Sequence, residues 1–151
     1  MIGKVFKLIR LPMLLIVIFT IGRFILSVKG VPYSPRSNAV FTILPLILIS
    51  SFYFGALSGK VNGIGWVGAI LLGVFIGFFG EFMILLATMV SYMAHVDTYF
   101  TYWDNLNVKE GTTVTMVQAL GIRAGGLIAG PILGTIAALI GRALGGLVSL
   151  Q

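Results

Sequence analysis

One apolar run over residues 63–95, carrying a single carboxylate at Glu81 and closing on the only histidine, His95, constrains this chain more than any other feature. A hydrocarbon core about 30 Å thick is crossed by about 20 apolar residues in a helix. The segment 64–94 is 31 residues long, or about 46 Å of helix at about 1.5 Å per residue. Such a helix must tilt, or extend past the membrane at one end. A run of this length and character predicts a membrane helix and fits no element of a soluble domain.

Three further stretches, at about 11–28, 39–58 and 116–141, have the length and composition of spans. With 58% hydrophobic and only 9% charged residues, the chain is far more apolar than a soluble protein, where about 25% of residues are charged. Nothing between the spans is large enough to form a soluble domain. The sequence therefore predicts an all-α, polytopic, four-span bundle with short loops, a single integral membrane domain over residues 1–151.

Along the chain, Lys4, Lys7 and Arg10 precede the first span, and Pro12 suits the first turn of a helix beginning there. Arg23 interrupts what would be a signal sequence and no small-residue cleavage site follows, so the first span is expected to be retained. Two prolines, a glycine and two serines over residues 29–37 predict a turn, after which Asn38 can cap the second span. Pro45 predicts a kink in that span, near the polar Ser50, Ser51 and Tyr53. Residues 59–63 are short enough to make spans two and three a tight antiparallel hairpin. Asp97, Asp104, Lys109 and Glu110 among Tyr99, Phe100, Tyr102 and Trp103 predict an interfacial aromatic belt followed by a polar loop. The last stretch, 114–150, reads most economically as one span, with a re-entrant or broken helix at Gly130-Pro131 as the alternative.

Four spans return both termini to one side, which collects Lys4, Lys7, Arg10, Lys60 and Arg142. The opposite side holds Lys29, Arg36 and Lys109 together with acids. The positive-inside rule then places both termini in the cytoplasm, with the cytoplasmic (inner) membrane as the expected location. The net charge of +6 is accounted for by these span-end cations touching anionic headgroups, and no nucleic-acid partner is expected.

A charge near the bilayer centre costs about 2.5–3.5 kcal/mol on insertion scales, so an intramembrane carboxylate should face the bundle and find a partner. At about 100° per residue, Gly73 and Gly77 lie on the Glu81 side of the helix, as do Thr88, Tyr92 and His95 further along. Glu81, Thr88, Tyr92 and His95 thus form a polar seam directed at one interface. Counting places Arg23 in span one and Arg123 at the start of span four in the same half of the bilayer. These three residues predict a buried Arg23, Glu81, Arg123 charge cluster.

The chain has 20 glycines, most of them within spans. Gly73-x3-Gly77 in span three and Gly126-x3-Gly130-x3-Gly134 with Gly141-x3-Gly145 in span four strip side chains from one helix face, so that another backbone can approach. Span four is predicted to dock on span three through that face.

The chemistry the sequence excludes is equally specific. With no cysteine there are no disulfides, thiolate metal ligands or thiol nucleophiles, and the lone histidine has neither a serine at motif spacing nor a second strong ligand. No phosphate-binding glycine motif ends in Gly-Lys-Ser/Thr. The sequence thus predicts no enzyme, no metal and no cofactor. Two functions remain. The first is a non-catalytic tetraspan protein working in assembly, as a homo-oligomer or an accessory subunit of a larger membrane complex, with lipids and other membrane subunits as partners. The second is a small ion or proton channel or transporter using Glu81 as its intramembrane site.

Overall fold

A computed structural model describes residues 2–30, 41–60 and 64–145 of the protein. Four helices follow one another: α1, Ile2–Val28; α2, Ile43–Ser58; α3, Trp66–Met93; and α4, Met116–Gly145. Among the described residues there is no strand. Helices α1, α3 and α4 are long and apolar enough to cross a membrane, whereas α2 is a shorter apolar helix of 16 residues. The fold is an all-helical membrane bundle.

The helix ends correct several sequence expectations. Helix α1 starts at Ile2, well before residue 11, so Pro12 is inside it and buried. The reason is periodicity: Val5, Ile9, Pro12, Ile16, Thr20 and Arg23 form one buried stripe at helical spacing. Lys4, Lys7 and Arg10 are good helix formers that project from the rest of the cylinder. Charge had marked the apolar run's edge, but not the helix's. Helix α2 starts at Ile43, which puts Pro45 in the first turn, where its missing N–H would have had no intrahelical partner. The predicted kink therefore falls away, and Thr42 occupies the N-cap position. Asn38 lies outside the described residues. Helix α4 runs unbroken through Pro131 to Gly145, which overturns the broken-helix alternative and extends the helix past residue 141.

Contacts between named residues fix the topology. Val5 and Phe6 of α1 meet Gly68 and Phe75 of α3, and Ser27 near the end of α1 bonds Tyr99 just beyond α3, so α1 and α3 are parallel. Gly55 meets Ala138 and Gly59 meets Arg142, so α2 and α4 are parallel. Gly73 meets Gly134 and Gly77 meets Gly130, so α3 and α4 are antiparallel. This up-down order brings the start of α1 and the end of α4 to one end of the bundle. Helices α2 and α3 each touch all three others, whereas α1 and α4 do not touch among the described residues. They flank the α2–α3 pair.

Packing against α4 proceeds through absent side chains. A methyl group added at Gly73 or Gly77 would run into the α4 backbone at Gly134 or Gly130, and one at Gly55 or Gly141 would strike the facing backbone at Ala138 or Phe52. Gly134 also lies against the Ser51 hydroxyl of α2, so three helices converge there. On the other side of α4, Ile128, Ile132, Ile136 and Ile140 descend in steps of four with about half or more of each side chain exposed. Together they form a continuous exposed apolar ridge along α4.

The segment between α3 and α4 is packed into the bundle rather than spread over it. Phe100 and Leu106 are almost wholly buried, and Phe100 belongs to the same core cluster as Ile16, Ile47 and Ile84. Phe41, just before the short α2, packs on Phe19 and Gly22 of α1, six residues before that helix ends. Helix α2 therefore starts below the end of α1, and residues 98–106 occupy this end of the bundle as a folded strap.

Candidate functional site

Glu81 stands near the middle of α3, partly buried, with its side chain laid along α4. A methyl group at Gly126 would collide with its carboxylate, and one at Gly130 with its Cγ. The glycine face of α4 is thus the surface on which the carboxylate rests. One turn before Gly126, Arg123 faces Glu81 across the same helix contact and interacts with it electrostatically. The arginine's hydrogen bond goes elsewhere: Nη2 donates to the Phe100 carbonyl at 3.1 Å, and its buried Nε has no hydrogen-bond partner among the described residues.

Arg23 is 1% exposed, and its guanidinium carbon sits 4.5 Å from the centroid of the Tyr99 ring. Such a stack is worth about 2 kcal/mol when desolvated. Tyr99 and Phe100 therefore come between the two arginines. Of the three charges proposed from the sequence, the structure leaves Glu81 and Arg123 as electrostatic neighbours across the α3–α4 contact without an ion pair, and directs Arg23 to the strap. The sequence reading missed Tyr99 and Phe100 as arginine partners because dense aromatics after a span resemble an interfacial belt. The available signal was two arginines in one half-bilayer facing a single carboxylate, which leaves a cation to be satisfied by carbonyls or rings.

The strap is tied to α1, α3 and α4 by polar contacts. The Tyr99 N–H donates to the Ser27 hydroxyl of α1 at 3.0 Å, while that hydroxyl donates to the Arg23 carbonyl. Ser91 and Thr98 hydroxyls lie 2.7 Å apart, and the Asn105 amide donates to the Tyr99 carbonyl. Tyr92 donates its phenolic hydrogen to the Val114 carbonyl at 2.9 Å. At the opposite end of the bundle, Arg142 Nη1 donates to the Ile64 carbonyl at 3.1 Å and approaches the Ser58 hydroxyl, closing α4 onto the α2–α3 hairpin.

The polar seam divides into two parts. Thr88 is fully buried and returns its hydroxyl to the Ile84 carbonyl, the usual way a hydroxyl is satisfied inside a membrane helix. Tyr92 and His95 instead line a cavity of about 410 Å³ with Ser91, Asp97, Thr101 and Thr113 at the strap end. His95 has a structural task of its own. At φ 52° it takes the left-handed position after α3, with the His95 N–H donating to the Tyr92 carbonyl and the Val96 N–H to the Ser91 carbonyl. That pair of bonds is a Schellman motif, which prefers glycine at this position. His95→Gly is expected to raise stability by about 1 kcal/mol by relieving the left-handed conformation. Denaturant titration of the two purified chains in one detergent checks it, and a loss of stability would show that the imidazole has a partner of its own.

Among the described residues, no three of His, Cys, Asp and Glu converge as a metal site. Glu81 and Arg123 supply opposite charges at membrane depth, and the chemistry open to them is ion pairing, proton exchange and the ordering of a neighbouring polar group. No protein-family model, curated protein or solved structure matches this chain.

Proposed function

We propose that this is a non-catalytic membrane protein whose work is assembly, as a homo-oligomer or as an accessory subunit of a larger membrane complex. The observation that carries this reading is the incomplete cover over Glu81. Glu81 lies near the middle of a spanning helix yet is only partly buried as a residue, as is Arg123. Exposing such a group to lipid is costly, and a second transmembrane surface laid over it removes that cost. The glycine ladder does not add to the argument, because its close contacts are satisfied within the protomer.

The alternative, conduction past Glu81, is disfavoured by the helix contact itself. Away from the strap end, the α3–α4 seam continues from Glu81 into backbone contact at Gly77–Gly130 and then Gly73–Gly134, with no room for water between them.

A single cysteine at position 81, in a chain that has no other cysteine, tests the proposal. In native membranes the thiol of Glu81→Cys is expected to resist membrane-impermeant reagents, and native mass measurement of the unmodified chain after mild extraction is expected to exceed the 16.2 kDa of one chain. Rapid labelling together with a lone 16.2 kDa species would overturn it.

A further inference from the structure

Arg123 has one hydrogen-bond acceptor, the Phe100 carbonyl, and one carboxylate neighbour, Glu81, with which it forms no ion pair. Its Nη2 is on the neutral Phe100 carbonyl, while the Glu81 carboxyl faces it across the α3–α4 contact and its own Nε has no hydrogen-bond partner among the described residues. The Phe100 carbonyl belongs to the strap, which also joins α1 through Tyr99 and Ser27. Since α1 and α4 make no contact among the described residues, the strap is a polar link between them at this end, beside their shared packing on α2 and α3. An ionised carboxylate attracts a guanidinium more strongly than a neutral carbonyl does, because it adds a full opposite charge and bidentate geometry. The guanidinium therefore has a preferred acceptor that changes with the charge on Glu81.

We propose that Arg123 is a latch on the strap and that the protonation state of Glu81 sets it. With Glu81 neutral, Arg123 holds the Phe100 carbonyl and the strap stays folded into the bundle. When Glu81 loses its proton to water, the carboxylate draws the guanidinium off the carbonyl and the strap loosens from α4. The other groups bearing on Arg123 are Tyr92 of α3 and Tyr99 of the strap. From α1, Arg23 bears on the Tyr99 ring, and the described part of α2 carries no charged side chain. Glu81 is thus the only carboxylate among these groups. The latch acts while Glu81 still meets water, before an assembly partner covers it.

The test uses the absence of native cysteines. Leu106 is 1% exposed in the strap and belongs to no part of the latch, whereas Lys109 is exposed nearby. In phosphatidylcholine nanodiscs, the rate of maleimide labelling in Leu106→Cys, divided by that in Lys109→Cys to remove thiolate titration, is expected to rise about tenfold between about pH 5 and pH 9. Adding Glu81→Gln should hold the ratio at its low-pH value, and adding Arg123→Gln should hold it high throughout. A pH-independent ratio with Glu81 present, or an unchanged rise in Glu81→Gln, overturns the latch. Should the Gln variants fail to fold, hydrogen exchange on the unmodified chain decides instead. Protection of the amides at 100–106, corrected for intrinsic exchange, is expected to fall with pH, and constant protection overturns the proposal.

Discussion

Replacing Gly77 with alanine is expected to destabilise the bundle by about 2 kcal/mol, measured by denaturant titration in mixed micelles. The added methyl group points at the Gly130 carbonyl and approaches the Pro131 nitrogen at 2.8 Å, so it meets backbone on a second helix rather than a side chain that can rotate away. Overpacking typically costs about 1–3 kcal/mol, and a rigid neighbour puts this site at the top of that range. Alanine also favours the helix over glycine by about 1 kcal/mol, which offsets part of the loss. Gly125 supplies the control. Nothing lies within 4 Å of a methyl group there, so Gly125→Ala should show the propensity gain alone. Equal effects at the two positions would mean that α3 and α4 do not approach through Gly77 and Gly130.

That contrast also marks how far the sequence can be read. The four-helix membrane fold followed from the apolar runs, because no water exists in a bilayer to satisfy an unpaired backbone. Small residues at i, i+4 placed Gly130 and Gly134 on one face of α4, opposite Gly73 and Gly77 in the structure. Spacing could not say which glycines are used. Gly121 and Gly125 repeat the same motif one turn earlier and meet nothing, since they lie on the outward side with Ile128 and Ile132. The α1 boundary was obscured for a different reason: charge gave the start of the apolar run, while the buried stripe from Val5 onward carries the helix further back.

The candidate site was legible as a set of charges and less so as a set of partners. Glu81 and Arg123 could be placed as neighbours because both lie on computable helix faces. The partners of Arg23 come from residues 98–101, which follow no helical period, and their burial depends on the end of the bundle left open above α2. Only the folded arrangement of α1, α2 and α3 defines that space. A turn-rich aromatic segment carries no local mark that separates a belt from a plug.

Phe100→Ala separates those two roles by magnitude. If Phe100 were an interfacial belt residue, truncation would remove a contact with headgroups, and the bundle itself would lose little. The structure instead has Phe100 with no exposed surface, packed edge-on to Tyr99 with ring centroids 5.2 Å apart and joined to the core cluster. Truncating a buried phenylalanine costs about 3–5 kcal/mol, the transfer term plus the cavity left behind. Partial collapse of a loop around the gap favours the lower end, so a loss of about 3 kcal/mol is expected, measured by the same titration as for Gly77. The loss should be accompanied by faster hydrogen exchange at residues 98–106, because the strap's polar ties to Ser27, Ser91 and Arg123 all depend on its lying against the core. Trp103→Ala is the comparison: Trp103 is only half-buried and keeps a neighbour in Tyr102, so it should cost well under half as much. A loss below about 1 kcal/mol at Phe100 would return the segment to the membrane interface and remove the strap as a polar link between α1 and α4.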